Sequence, residues 1–172
     1  MINEQGIIEV AIERSKPFFS RATFQLSSSN TDVLTLDMHE GMNLFDSTLL
    51  MNGEQLCKLS QNREVYSGEK RIGKIKSPVN VLASEKYFLE TENGEHYSLV
   101  LEKAKSLSLW IEYKLRKADV DVARIRYKYQ LPFIKKGGSV NCQVFDKSEL
   151  GIALAFMIFV WADACSVDNS TE

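Results

Sequence analysis

Residues 150–162 read LGIALAFMIFVWA, thirteen positions without a polar side chain. The run is too long for an ordinary strand, and its three alanines, with leucine and methionine, favour a helix. A helix apolar along one stripe lies on a surface, whereas one apolar all round is enclosed on every side. The chain upstream reads mostly as short strands, the only material available for that enclosure. The expectation is a β-barrel or strongly curled sheet plugged by its C-terminal helix. A membrane-spanning helix needs about 20 apolar residues, with about 17 as a lower limit. This run stops short of that at Asp163, so a core helix and no transmembrane span are expected.

Period-two alternation runs through the chain before Asp146. Ala22, Phe24 and Leu26 alternate with Arg21, Thr23 and Gln25. Tyr97, Leu99 and Leu101 share one face, as do Leu107, Leu109, Ile111 and Tyr113. Ile125, Tyr127 and Tyr129 alternate with Arg124, Arg126 and Lys128, and Val140, Cys142 and Val144 close the series. Short strands spaced by turn signals belong to an all-β sandwich or barrel. Three Xaa-Gly-Glu triplets punctuate them: Asn52-Gly53-Glu54, Ser67-Gly68-Glu69 and Asn93-Gly94-Glu95. Asn-Gly suits a type I′ hairpin turn, which needs two residues at positive φ. Lys136-Gly137-Gly138-Ser139 reads as a fourth turn. Uneven triplet spacing excludes a propeller or solenoid repeat and leaves consecutive hairpins of one meander. Asp146 followed by Glu149 has the pattern of a capping box, placing a helix over about 147–164 and a polar tail over 166–172. Residues 1–165 are read as a single domain.

The overall charge of −2 argues against a general nucleic-acid binder, but the charge is unevenly spread. Residues 103–136 carry ten basic and three acidic side chains, and the remainder carries 11 and 20. Three cysteines, Cys57, Cys142 and Cys165, form no CxxC pair and leave one over, which fits a reducing compartment. The opening residues MINEQGIIEVAIERSK lack the basic and apolar regions of a secretory signal. A cytoplasmic protein, peripheral to the membrane in one reading, is expected.

The segment Ser67-Gly68-Glu69-Lys70-Arg71-Ile72-Gly73-Lys74-Ile75, with the apolar run over 151–163 that ends in Asp163, resembles the tubby C-terminal-like superfamily. Its members include tubby proteins, phospholipid scramblases and LURP-one-related proteins. The resemblance follows the order of elements across nearly the whole chain. It implies a mainly β fold: a closed antiparallel barrel of about twelve strands enclosing one hydrophobic C-terminal helix. Tubby domains bind phosphoinositide headgroups through exterior basic side chains, but no such residue aligns here position by position. The acidic calcium segment proposed for scramblases has no counterpart, so calcium and scrambling are not implied. Fold alone does not carry function.

The basic block is the leading functional feature. On a strand, Arg124, Arg126 and Lys128 point to one side and the intervening apolar residues to the other. Lys114, Arg116, Lys117, Lys135 and Lys136 extend this candidate contact surface for an anionic lipid headgroup or an acidic protein, and Lys103 and Lys105 adjoin it. The bland alternative is a solvated strand face neutralised by acids from neighbouring strands. No catalytic residue, metal ligand set or cofactor is assigned. His39 and His96 lie in no catalytic motif, and pairing either with Cys57 or Cys142 has no support in spacing. Asp32, Asp37, Glu40 and Asp46 lack the order of a calcium loop. The expected role is a non-catalytic binding module that associates with anionic phospholipid. The alternative is a protein-interaction scaffold whose basic face is incidental.

Overall fold

Twelve strands and one long helix follow one another in the computed structural model, which describes residues 8–14, 24–28, 34–38, 46–78, 85–104, 110–128 and 139–167. The strands are β1 (Ile8–Arg14), β2 (Phe24–Ser28), β3 (Leu34–Met38), β4 (Ser47–Met51), β5 (Glu54–Leu59) and β6 (Glu64–Ser67). They continue as β7 (Lys70–Lys76), β8 (Glu85–Thr91), β9 (His96–Ala104), β10 (Trp110–Lys117), β11 (Val120–Lys128) and β12 (Ser139–Val144). A 3-10 turn, Lys147–Glu149, leads into α1 (Leu150–Val167). All twelve strands form one sheet in the order β2-β1-β12-β11-β10-β9-β8-β7-β6-β5-β4-β3. Every paired neighbour is antiparallel. No ladder joins β2 to β3 among the described residues.

The helix sits inside the curl of the sheet. It packs against β11 and β12 and also against β5 and β6, and four strands separate these pairs in the strand order. One straight helix touches both pairs only because the sheet bends round it. Every side chain from Ala153 to Ala162 is buried, with Phe156 and Phe159 at 0% exposure. Burying a large apolar side chain contributes about 1.5–3 kcal/mol. The ten-residue core of the helix is therefore a principal source of stability. Alternation supplies the matching wall: Leu99, Leu115, Ile125, Val140 and Val144 each reach 0% exposure. No described helix is long and apolar enough to cross a membrane.

Turn chemistry follows the glycines unevenly. Asn52 and Gly53 take φ of 53° and 85°, the two positive values that a type I′ hairpin requires. In the second triplet only Gly68 is positive, and in the third only Gly94 is, so Asn93 does not play the part of Asn52. The β10–β11 turn uses Ala118 at φ 52°, with no glycine to signal it. Gly73 serves a different need. A Cβ there would lie 2.3 Å from the Glu90 carbonyl oxygen and 2.9 Å from Leu89 Cδ1, so only hydrogen lets β7 lie this close to β8.

The entry to α1 departs from the expected capping box. Asp146 caps the 3-10 turn by accepting from the Ser148 backbone N–H at 2.9 Å and its hydroxyl at 2.7 Å. The Glu149 backbone N–H donates to the Asp146 carbonyl at 3.0 Å, but its side chain turns to the sheet. It is buried and accepts from Tyr97 Oη at 2.7 Å and Lys117 Nζ at 2.7 Å. Two charge-assisted bonds to donors on the sheet hold the carboxylate there. Lys117 also pairs with Glu95 at 2.6 Å, so this cluster ties the helix start to β9 and β10.

Candidate anion-contact surface

On β10, Tyr113 and Leu115 face the core, which turns Trp110, Glu112, Lys114 and Arg116 outward. On β11, Ile125 and Tyr127 face in and Arg124, Arg126 and Lys128 face out. The register sets Lys114 opposite Arg124, Glu112 opposite Arg126 and Trp110 opposite Lys128. Like charges directly across a strand pair repel. Lys114 and Arg124 escape that penalty because Glu102 reaches over from β9, 2.9 Å from Lys114 Nζ and 3.9 Å from Arg124 Nε.

The face is an alternating ladder of charge. Asp121 holds Arg116 at 2.8 Å and Lys114 at 3.3 Å. Glu102 links Lys114 to Arg124, and Glu112 links Arg124, at 3.4 Å, to Arg126. Hydrogen bonding from Lys114 holds the Glu102 carboxyl below its ordinary pKa, and Glu102 and Asp121 in turn raise the Lys114 ammonium. At Asp121 burial works against ionisation, but Arg116 and Lys114 outweigh it and leave the pKa lowered. Four cations are thereby compensated by three carboxylates. The ladder stops at Lys128, which has no described carboxylate within ion-pair distance and lies 5.2 Å over the Trp110 ring. Trp110 is 41% exposed.

The structure therefore divides the residues nominated from sequence. Arg124, Arg126, Lys114, Arg116 and Lys128 share one outer face. Lys117 does not join them: it lies over the Tyr97 ring at 5.4 Å and pairs with Glu95 and Glu149. Its ammonium is strongly raised, first by the Glu149 hydrogen bond and then by Glu95. Lys105, Lys135 and Lys136 lie outside the described residues, as do His39, Asp32, Glu40 and the Gly137-Gly138 turn. Sequence reading allowed for acids from neighbouring strands against these cations but named none of them. Glu112 has the same parity as Lys114 and Arg116 and was legible, whereas Glu102 belongs to another strand and needs the register to bring it in.

Among the other candidates, the structure describes Cys57, Cys142 and His96. Burial pushes the Cys57 thiol up to about 12 and the Cys142 thiol higher still, the reverse of an activated nucleophile. His96 lies 3.4 Å from Glu85 and stacks on Phe88. No group of three or more metal-ligating side chains comes together among the described residues. No family model, curated protein or solved structure matches this chain.

Proposed function

We propose that this protein is a non-catalytic, tubby-like binding module, closed as a barrel around α1, that associates peripherally with anionic phospholipid on the cytoplasmic side of a membrane. The observation that carries the reading is the charge on the outer face of β10 and β11. Five cations there, Lys114, Arg116, Arg124, Arg126 and Lys128, stand against Glu102, Glu112 and Asp121. A surplus of one sign attracts an anionic surface through its summed field. The enclosed helix and curled sheet support the barrel, with β2 and β3 approaching within 8 Å at the two ends of the strand order.

A second reading has its own observation. The ladder satisfies most of its cations internally, as expected of a solvated face on a scaffold whose partner docks elsewhere. Sedimentation with vesicles separates the two. Retention on phosphatidylserine-containing vesicles, absent on pure phosphatidylcholine and falling with salt, is the result expected of lipid association. No retention at low salt rejects it and leaves the scaffold reading.

A further inference from the structure

One pairing in the sheet joins distant parts of the chain. From β3 to β12 each neighbour in the strand order is also the next strand in sequence, and β1 pairs with β2 in the same way. Only β1 and β12 meet across the chain, in a ladder running from Ile8 with Val144 to Ile12 with Val140. Among the described residues β2 has no ladder to β3, so the β1–β2 hairpin is bonded to the rest of the sheet through β12 alone.

That attachment is short. It holds five residue pairs, against eight between β10 and β11. On its other side β12 pairs with β11, which has β10 beyond it, and α1 packs against both β11 and β12. Val140, Cys142 and Val144 of β12 are at 0% exposure, with Cys142 Sγ 4.0 Å from the Ala153 carbonyl oxygen. These contacts keep β12 in place when β1 leaves it. A unit held by few backbone hydrogen bonds opens locally at a free energy below that of the whole fold. Parting β1 from β12 breaks one short ladder and leaves the β1–β2 hairpin itself intact. It also makes β12 an edge strand, whose unpaired N–H and C=O groups are a template for another extended segment.

We infer that the β1–β2 hairpin is a strap that releases as a unit, baring the edge of β12 while β3 to β12 stay folded round α1. The strap operates whether or not the outer face binds lipid.

Successive residues of a central antiparallel strand bond alternately to the strands on its two sides. The strand β12 thus carries its own control, one set of amides turned to β1 and the other to β11. In residue-resolved hydrogen exchange on the full chain, the β1-facing set is expected to exchange at least about tenfold faster than the β11-facing set, together with β1 and β2. Equal protection of the two sets overturns the inference. Glu9 and Gln143 are cross-strand partners, and Cα atoms so placed stand about 4.5–5.5 Å apart, within reach of a disulfide. In Glu9→Cys with Gln143→Cys, the oxidised chain is expected to lose the difference between the sets and the reduced chain to regain it. Ala11→Cys with Asn141→Cys, the partners two residues along, serves where the first pair does not oxidise. A difference that survives oxidation does not come from β1 leaving β12, and it too overturns the inference.

Discussion

The two ends of the sheet are built from the same strands and share the same core, yet they are made of different materials. One end is closed by turns as short as two residues, and its carboxylates hold the start of α1 through Glu149, Lys117 and Tyr97. At the other stand the opening of β8 and the later turns of α1. There the helix is held by Tyr87, whose hydroxyl donates to Asp163 at 2.6 Å, and by packing of Tyr87 edge-on against Phe159. Arg63 lies over the same Phe159 ring at 5.4 Å. Tight hairpins and a buried charge cluster hold one end. An aromatic contact and a hydroxyl–carboxylate bond hold the other.

The comparison presupposes the sheet that carries both ends, and the substitution that breaks it outright is Gly73→Ala. The added methyl meets backbone, which moves less readily than a side chain, so a loss of about 3 kcal/mol is expected in urea unfolding. A wild-type midpoint would show that β7 and β8 can separate at no cost. Next in size is the pair of helix anchors. Glu149→Ala strips the nearer acceptor from Tyr97 and one partner from Lys117; Glu95 remains for both and the lysine is partly exposed, which lowers the cost to about 2 kcal/mol. Asp163→Asn keeps an acceptor for Tyr87 and is expected to cost about 1 kcal/mol or less. Equal losses at the two ends would remove the distinction between a charge-held and a packing-held end.

The pH response sharpens the same contrast. Glu102 and Asp121 have folded-state pKa values below their unfolded ones, so acid protonates the unfolded chain first. Their stabilisation is present above about pH 4 and is lost as pH falls through the folded values. Glu102→Gln with Asp121→Asn is expected to flatten that acid limb in unfolding measured between neutral and low pH. The charge-held end weakens at the opposite extreme. Lys117 and Tyr97 are both raised, the first chiefly by Glu149 and the second by burial and then Glu149. Both favour the folded chain below about pH 10, the range of the free side chains, and that advantage is lost as pH rises beyond it. Lys117→Met with Tyr97→Phe is expected to flatten the alkaline limb alone.

The smallest effect is expected from Glu112→Gln. Its partners are partly exposed, so stability should change by about 1 kcal/mol or less. Its value lies in what it does to vesicle retention. A contact made by the broad outer face gains from the lost carboxylate, and retention rises severalfold. A scaffold whose partner docks elsewhere shows no such rise.

Much of the fold was legible before any coordinate. The apolar run announced an enclosed helix, and Phe156 and Phe159 are fully buried as that reading demands. Alternation placed Ile125, Tyr127, Val140 and Cys142 inward, because period two is a property of the single strand. The β10–β11 turn escaped notice, since Ala118 at positive φ carries no glycine signal. The role of Glu149 escaped as well. Three residues after Asp146 it looked like a cap, and only the nearness of Tyr97 and Lys117 made it an anchor.

By itself the sequence determined which residues of the alternating segments turn inward, where the β4–β5, β6–β7 and β8–β9 hairpins reverse, and that the apolar helix needed a wall on every side. Each of these follows from local covalent periodicity and from water's rejection of apolar surface. Tertiary structure alone decided which charges become neighbours. Glu102 reaches Lys114 and Arg124 from another strand, and Trp110 meets Lys128 across a ladder eighteen residues apart in the chain. Register between strands is a property of the assembled sheet, and ten cations in one segment did not reveal that most of those described already had partners.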